Sequence, residues 1–325
     1  MKYALAEVDS VPRVGLVILS AGEESRTDHL HLFPEGTDLL DVAIQRAVPD
    51  AGAARVSVSD VRLLPPVHPG SFRDFVAFEE HVQGASAMSP DPAASMQAWS
   101  RTPTFLFGNP HAMVGAHDPV VPPPDTSSLD FELEVGVVIG RDGRDLSVEE
   151  ARDHIAGYLV VNDWSARDIQ TREMQVGLGP AKGKDFATTI GPWLVTPEEL
   201  EDSRIGDRHD LRMRVSVNDT LIGEDSLAHM AWSFAEFIAH ASRAAWVRAG
   251  DLIASGTCGG GALSEFWGRT GVQDPPPLVP GDVVTMTVDR LGTIANQVVA
   301  PAPDRSPVTP AAPLAVLKAA TEVRA

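Results

Sequence analysis

Between Ser128 and Gly140 the chain alternates acid and apolar residue and then runs into a β-branched stretch, Leu129-Asp130-Phe131-Glu132-Leu133-Glu134-Val135-Gly136-Val137-Val138-Ile139. A period of two predicts a strand with Glu132 and Glu134 on one face and Phe131, Leu133 and Val135 on the other. At ~3.3 Å per residue the two Glu Cα atoms lie roughly 6.6 Å apart, close enough for both side chains to converge on one cation. The plainer reading, a half-exposed strand whose Glu side chains sit in water, stays open on this stretch alone.

The same patterns divide the rest of the chain. Over residues 1–70, short apolar pieces at 14–19 and 56–64 flank a polar stretch at 23–28 and a capped helical pattern at 37–47, which predicts a small β-rich domain with one helix. Pro65, Pro66 and Pro69-Gly70 make a stiff exit from it. In 71–82 Phe75, Phe78 and Val82 recur three and four residues apart, an apolar stripe that predicts a helix capped by Ser71. On one continuous helix Asp74 and His81 share a face ~10.5 Å apart along the axis. That gap is the size of a small substrate, although a lone His on a helix is more often a surface or structural group than a base. Residues 85–98 are small, polar and broken by Pro, and predict a loop over a site.

Beyond the 129–140 strand a capping box, Ser147 to Glu150, predicts a short helix. A buried strand at 158–161 then runs into Asn162, Asp163 and Arg167, and a Gly-punctuated loop over 177–193 carries Lys182 and Lys184. Neither a Walker nor a dinucleotide Gly spacing fits that loop, so Lys184 is expected to face a carboxylate or an oxyanion. Strands follow at 211–217 and 221–223, an amphipathic helix at 231–240, and a strand at 252–257 that breaks into Gly259-Gly260-Gly261. Strands at 283–288 and 292–299 complete the pattern. The fold class is β-rich α+β, in three parts: 1–70, a larger part 71–300, and a Pro- and Ala-rich tail 301–325 with one short helix.

Composition narrows the chemistry. The 26 Lys and Arg against 45 Asp and Glu give a net charge of -19, which repels a phosphate backbone and an anionic membrane surface alike. No apolar run reaches about 18 residues and the first residues have no signal-peptide core, so the expected location is the cytoplasm. The single Cys258 excludes an internal disulfide and a cysteine metal cage, leaving oxygen or imidazole for any metal. With no basic neighbour in sequence, Cys258 is a poor nucleophile.

With these residues assembled, the chain resembles the fumarylacetoacetate hydrolase family over about 71–299. The carriers are Asp74-Phe75 with His81, Asp130-Phe131-Glu132-Leu133-Glu134, Asn162-Asp163-Trp164-Ser165-Ala166-Arg167-Asp168-Ile169-Gln170, Leu178-Gly179-Pro180 through Lys184, and Ser255-Gly256-Thr257. The resemblance implies a homodimer with a mixed β-sandwich or roll catalytic domain. It implies Asp74, Glu132, Glu134 and Asp163 as ligands of Mg²⁺ or Ca²⁺, with Mn²⁺ possible, and Lys184 and Thr188 close to the ion. It makes His81 the base that activates water, Glu265 its partner, and Arg167, Gln170 and Thr257 the substrate contacts. The implied reaction is hydrolysis of a C–C bond in a β-diketo acid; decarboxylation, hydration or isomerisation of a 2-oxo acid is the alternative, and ligand binding without turnover a third. One departure is Val76, where the hydrolase of fumarylacetoacetate itself carries a substrate-holding Tyr.

Overall fold

The computed structural model describes residues 1–19, 28–86 and 91–303. Parts of the polar stretch at 23–28, of the 85–98 segment and nearly all of the 301–325 tail lie outside the described residues.

Broken at Phe131 and Glu132 after the short strand Leu129–Asp130, the alternating stretch continues as the strand Leu133–Ile139, buried at every residue. It pairs antiparallel with Ile155–Asp163 on one side and with Leu252–Ala254 on the other. These strands are central to a 12-stranded sheet that runs from Arg55–Ser57 through His29–Leu32, Val11–Ile18, Lys2–Val8 and Thr188–Val195 to them, and on through Phe72–Phe75 to Phe105–Gly108. The first 70 residues therefore share a sheet with the rest, joined where Lys2 and Tyr3 oppose Val195 and Leu194.

Strand parity decides what each face of this sheet buries. Val135, Val137 and Ile139 pack with Met213, Val215, Val284, Met286 and Ile294, so that face is closed by a four-stranded sheet, Thr220–Ser226, Arg212–Val217, Val283–Val288 and Gly292–Gln297. Val138, Leu159, Val161 and Ile190 lie in a second cluster with Tyr3, Phe33, Leu39 and Val42, where the helix Leu39–Gln45 covers the opposite face. Burial on both faces is why these strands read as apolar runs, each large side chain contributing ~1.5–3 kcal/mol.

Three expectations are corrected. The helix over 71–82 is a strand, Phe72–Phe75, followed by a helix, Glu79–Ser86. Phe72–Phe75 sits between Leu252–Ala254 and Phe105–Gly108, and its Phe residues enter opposite clusters, as residues three apart on a strand must. The segment expected to be a loop contains the helix Pro92–Trp99, because Asp91 caps it and Pro near its start fits a first turn. The loop over 177–193 ends early: Thr188–Val195 is a strand, and its Gly191-Pro192 step is accommodated where the pairing with Ile155–Asp163 shifts register.

Candidate active site

Glu134, Val161 and Asp163 share parity with the second cluster's face, and so do Asp74 on Phe72–Phe75 and Thr188 on the neighbouring strand. Four strands thus deliver polar side chains to one face at one end of the sheet. Carboxylate oxygens of Asp74, Glu132 and Glu134 lie within 4.8 Å of one another, all three residues buried. Asp74 comes to this cluster from 58 positions before Glu132 in sequence.

Two cations serve this cluster. Lys184 Nζ donates to Glu132 Oε2 at 2.5 Å and to Asp163 Oδ2 at 2.6 Å, at the bottom of the Gly-rich loop. Arg167, opening the helix Arg167–Val176, contacts Glu132 at 2.7 Å as an ion pair and donates from Nε to Asp130 at 2.8 Å. Burial would raise the Glu132 pKa, but the Lys184 and Arg167 charges outweigh it and hold that carboxyl below its usual range. Lys184 is pushed up in turn, since Asp163 and Glu132 outweigh its burial. Asp163 stays raised by burial and by Glu132, and its Oδ1 accepts from the Thr188 hydroxyl at 3.3 Å.

Asp74 and Glu134 are left over. Burial, then the neighbouring negative charges, pushes both carboxyls well above the ordinary range. Asp74 Oδ1 and Glu134 Oε2 are buried without a hydrogen-bond partner, while Glu134 Oε1 accepts from the Thr257 hydroxyl at 3.5 Å. Unpartnered buried oxygens in an oxygen-rich, negatively charged pocket fit a hard divalent cation, which satisfies both the lone pairs and the charge.

A hydrogen-bonded His–Glu pair stands beside the cluster. His81 lies on the first turns of Glu79–Ser86, and its Nδ1–H donates to Glu265 Oε1 at 2.8 Å. Glu265, fully buried, also accepts from Gly260 N at 2.8 Å and from Arg269 at 3.3 Å. With Nδ1 engaged by a carboxylate, Nε2 is the nitrogen left to exchange a proton.

Sequence reasoning did not foresee where some groups go. Arg167 is committed to two carboxylates and to the Gln170 carbonyl, which accepts from Nη1 at 3.0 Å. The amides of the Gly-rich turn are used internally, Gly259 N donating to Asp225 and Gly260 N to Glu265. Gly256, at φ 76°, allows the strand end to touch the backbone after Asp74: a Cβ there would stand 2.3 Å from Phe75 O. Cys258 is buried and its thiol pushed up by burial, so it stays protonated. Asp130 received no role from the sequence, yet its carboxylate accepts Leu263 N at 2.8 Å and Ser264 N at 3.0 Å. No local signal marks that contact, which spans 133 positions. Among the described residues no helix is long and apolar enough to cross a membrane.

Comparison with known proteins finds relatives in sequence and in fold. The chain is 32% identical over 253 residues to the oxaloacetate tautomerase YisK of Bacillus subtilis, covering 77% of each chain. It is 32% identical to the fumarylacetoacetase of Dictyostelium discoideum, the match covering 63% of this chain and 58% of that enzyme's length. Among solved structures, a fumarylacetoacetate hydrolase from Exiguobacterium antarcticum superposes with a TM-score of 0.70 at 28% identity, covering 92% of this chain and 99% of that one. A family model, the fumarylacetoacetate (FAA) hydrolase C-terminal region, matches residues 71–299, an interval that contains the carboxylate cluster, His81 and Glu265. The chain therefore belongs to the fumarylacetoacetate hydrolase family, whose members are enzymes.

Proposed function

We propose that this chain is a divalent-cation-dependent hydrolase that cleaves a C–C bond in a β-diketo acid, an acylpyruvate or a fumarylacetoacetate-like substrate. The observation that supports it most is the His81–Glu265 pair at 2.8 Å beside a buried carboxylate cluster. Asp74, Glu132, Glu134 and Asp163 would hold the ion, Mg²⁺ or Ca²⁺ with Mn²⁺ as a further option. When bound, such an ion supplies Lewis-acid polarisation of a chelating pair of carbonyl oxygens. Glu265 orients His81 so that Nε2 takes a proton from water. The water oxygen bonds to the carbonyl carbon, the adjacent C–C bond breaks, and the proton passes from His81 to the departing carbon. One water is consumed, and an acylpyruvate gives a carboxylic acid and a 2-oxo acid.

Lys184 offsets the charge of Glu132 and Asp163 and is the third catalytic candidate. Arg167, with Gln170 beside it, and Thr257 are the proposed substrate contacts, each adjoining the cluster through a carboxylate it already touches. Homodimeric assembly is proposed from the family resemblance, and the cytoplasm is proposed as the location. A second reading, a 2-oxo acid decarboxylase, hydratase or isomerase using the same residues, is favoured by the likeness to an oxaloacetate tautomerase over 77% of each chain.

Product analysis separates the two. Purified protein with Mg²⁺ is expected to bleach the near-ultraviolet absorbance of an acylpyruvate, and mass spectrometry to find cleavage products that have together gained one water; release of CO₂, an unchanged mass, or a gain of water without cleavage supports the second reading. His81→Ala is expected to lower kcat by roughly 10²–10⁴-fold with cation binding retained. Undiminished turnover in that variant overturns the assigned base.

A further inference from the structure

Asp130 is fully buried and serves both halves of the site without belonging to either. Its Oδ1 accepts from Phe131 N at 2.8 Å and Leu263 N at 2.8 Å; its Oδ2 accepts from Ser264 N at 3.0 Å and from Arg167 Nε at 2.8 Å. The Leu263 and Ser264 amides open the helix Leu263–Thr270, which carries Glu265. That helix has no side-chain cap of its own, because Ala262 occupies the cap position. Arg167, on the other side of Asp130, contacts it at 2.7 Å through Nη2, and the same nitrogen lies 2.7 Å from Glu132 Oε1. One carboxylate therefore stands between the partner of His81 and a member of the carboxylate cluster.

We propose that Asp130 is a positioning residue that locks the helix bearing Glu265 to Arg167, and through Arg167 to Glu132, so that the acid–base pair and the cation-binding carboxylates keep one fixed spacing. Capping alone needs only an acceptor for a first-turn amide, which a Ser at position 262 supplies to the Ser264 or Glu265 N–H. The long-range carboxylate does more, since Arg167 donates from Nε to Asp130 and holds Nη2 in ion-pair contact with both Asp130 and Glu132, so it cannot swing away from Glu132 without leaving Asp130. The proposal rests on reading the cluster as a cation site.

The test separates capping from positioning. Ala262 has the extended φ of -142° and ψ of 148° of a cap residue, so Ala262→Ser restores a local cap in an Asp130→Ala background. The double variant is expected to melt close to the native chain and yet bind Mn²⁺ at least tenfold more weakly by equilibrium dialysis. Without any cation, its His81 Nδ1 proton resonance is expected to move from the native position. A re-capped protein with native Mn²⁺ affinity and an unmoved His81 resonance overturns the proposal. Should it fail to fold, Asp130→Asn is combined with Arg167→Gln. Less than a twofold further loss of Mn²⁺ affinity in the Arg167→Gln background supports the link, and multiplicative losses overturn it. Failure of the native chain to bind Mn²⁺ refutes the cation site itself, and the His81 resonance then decides the role of Asp130.

Discussion

Asp74 and Glu134 have no ion-pair partner among the described residues, and this makes them the residues whose protonation the fold should feel. Their folded pKa values stand above the ordinary 3.8 and 4.5 because of burial and neighbouring negative charge. The folded chain therefore holds protons that the unfolded chain has released, and the stability they contribute, complete below the ordinary values, drains away as pH rises toward the folded ones. Glu132 runs the other way: its pKa is lowered, so its contribution is present at neutral pH and lost as acid takes it below 4.5. The cation-free protein is expected to melt at a lower temperature at pH 8 than at pH 6, and Mg²⁺ to close that gap. Glu134→Gln removes one of the crowded charges. It should raise the cation-free melting temperature at pH 8 by roughly 1–2 °C, about 1 kcal/mol for a chain of this size, while weakening Mg²⁺ binding at least tenfold. Calorimetric scans with chelator and with Mg²⁺ read both effects; a variant that melts lower at pH 8 in chelator contradicts the charge crowding.

Among the elements, the two helices that carry the acid–base pair meet at Gly84. A Cβ at this position would stand 3.1 Å from Glu265 Cβ and 3.2 Å from Glu265 Cα. Gly in a helix interior costs about 1 kcal/mol relative to Ala, so its presence is explained by this close approach rather than by helix stability. Gly84→Ala is expected to lower kcat about tenfold by wedging the helices apart, with a stability change under about 1 kcal/mol because propensity offsets crowding. Steady-state kinetics beside a thermal melt would show whether rate falls while stability holds. The alternation was readable in the sequence, and the carboxylates of Glu132 and Glu134 do lie together, although Glu132 stands just before the strand Leu133–Ile139 rather than on it. The helix Leu263–Thr270 was not readable, since Ala262 gives no capping signal and its cap comes from Asp130. Arg167–Val176 was equally silent: only Ile169 of its residues is buried, so it has no apolar stripe to detect. The stripe over Phe75, Phe78 and Val82 misled because it straddles a strand and a helix.

For the whole molecule, what local patterns could not reveal is how the first 70 residues join the rest. Short apolar runs closed by Pro65, Pro66 and Pro69 suggest a separate unit, but the pairing of Lys2 with Val195 and Tyr3 with Leu194 links positions far apart in sequence. The buried cluster on that face interleaves Tyr3, Val14, Phe33, Leu39 and Val42 with Phe72, Val138, Leu159, Val161, Ile190 and Leu194. The same face carries Asp74, Glu134 and Asp163 at its end, so the cover over the sheet also holds the strands that present the carboxylates. Removing residues 1–70 uncovers several large side chains at ~1.5–3 kcal/mol each. Three or four of them rival the ~5–15 kcal/mol by which a typical fold is stable. The fragment 71–303 is therefore expected to aggregate, or to melt at least 15 °C below the full chain and to bind Mg²⁺ poorly, as read by size-exclusion chromatography, calorimetry and dialysis. A monodisperse fragment with a native melting temperature would mean that the strands from Thr188–Val195 to Phe72–Phe75 hold their places unaided. The carboxylate cluster would then owe its geometry to the sheet alone, and residues 1–70 would be free to serve the mouth of the site.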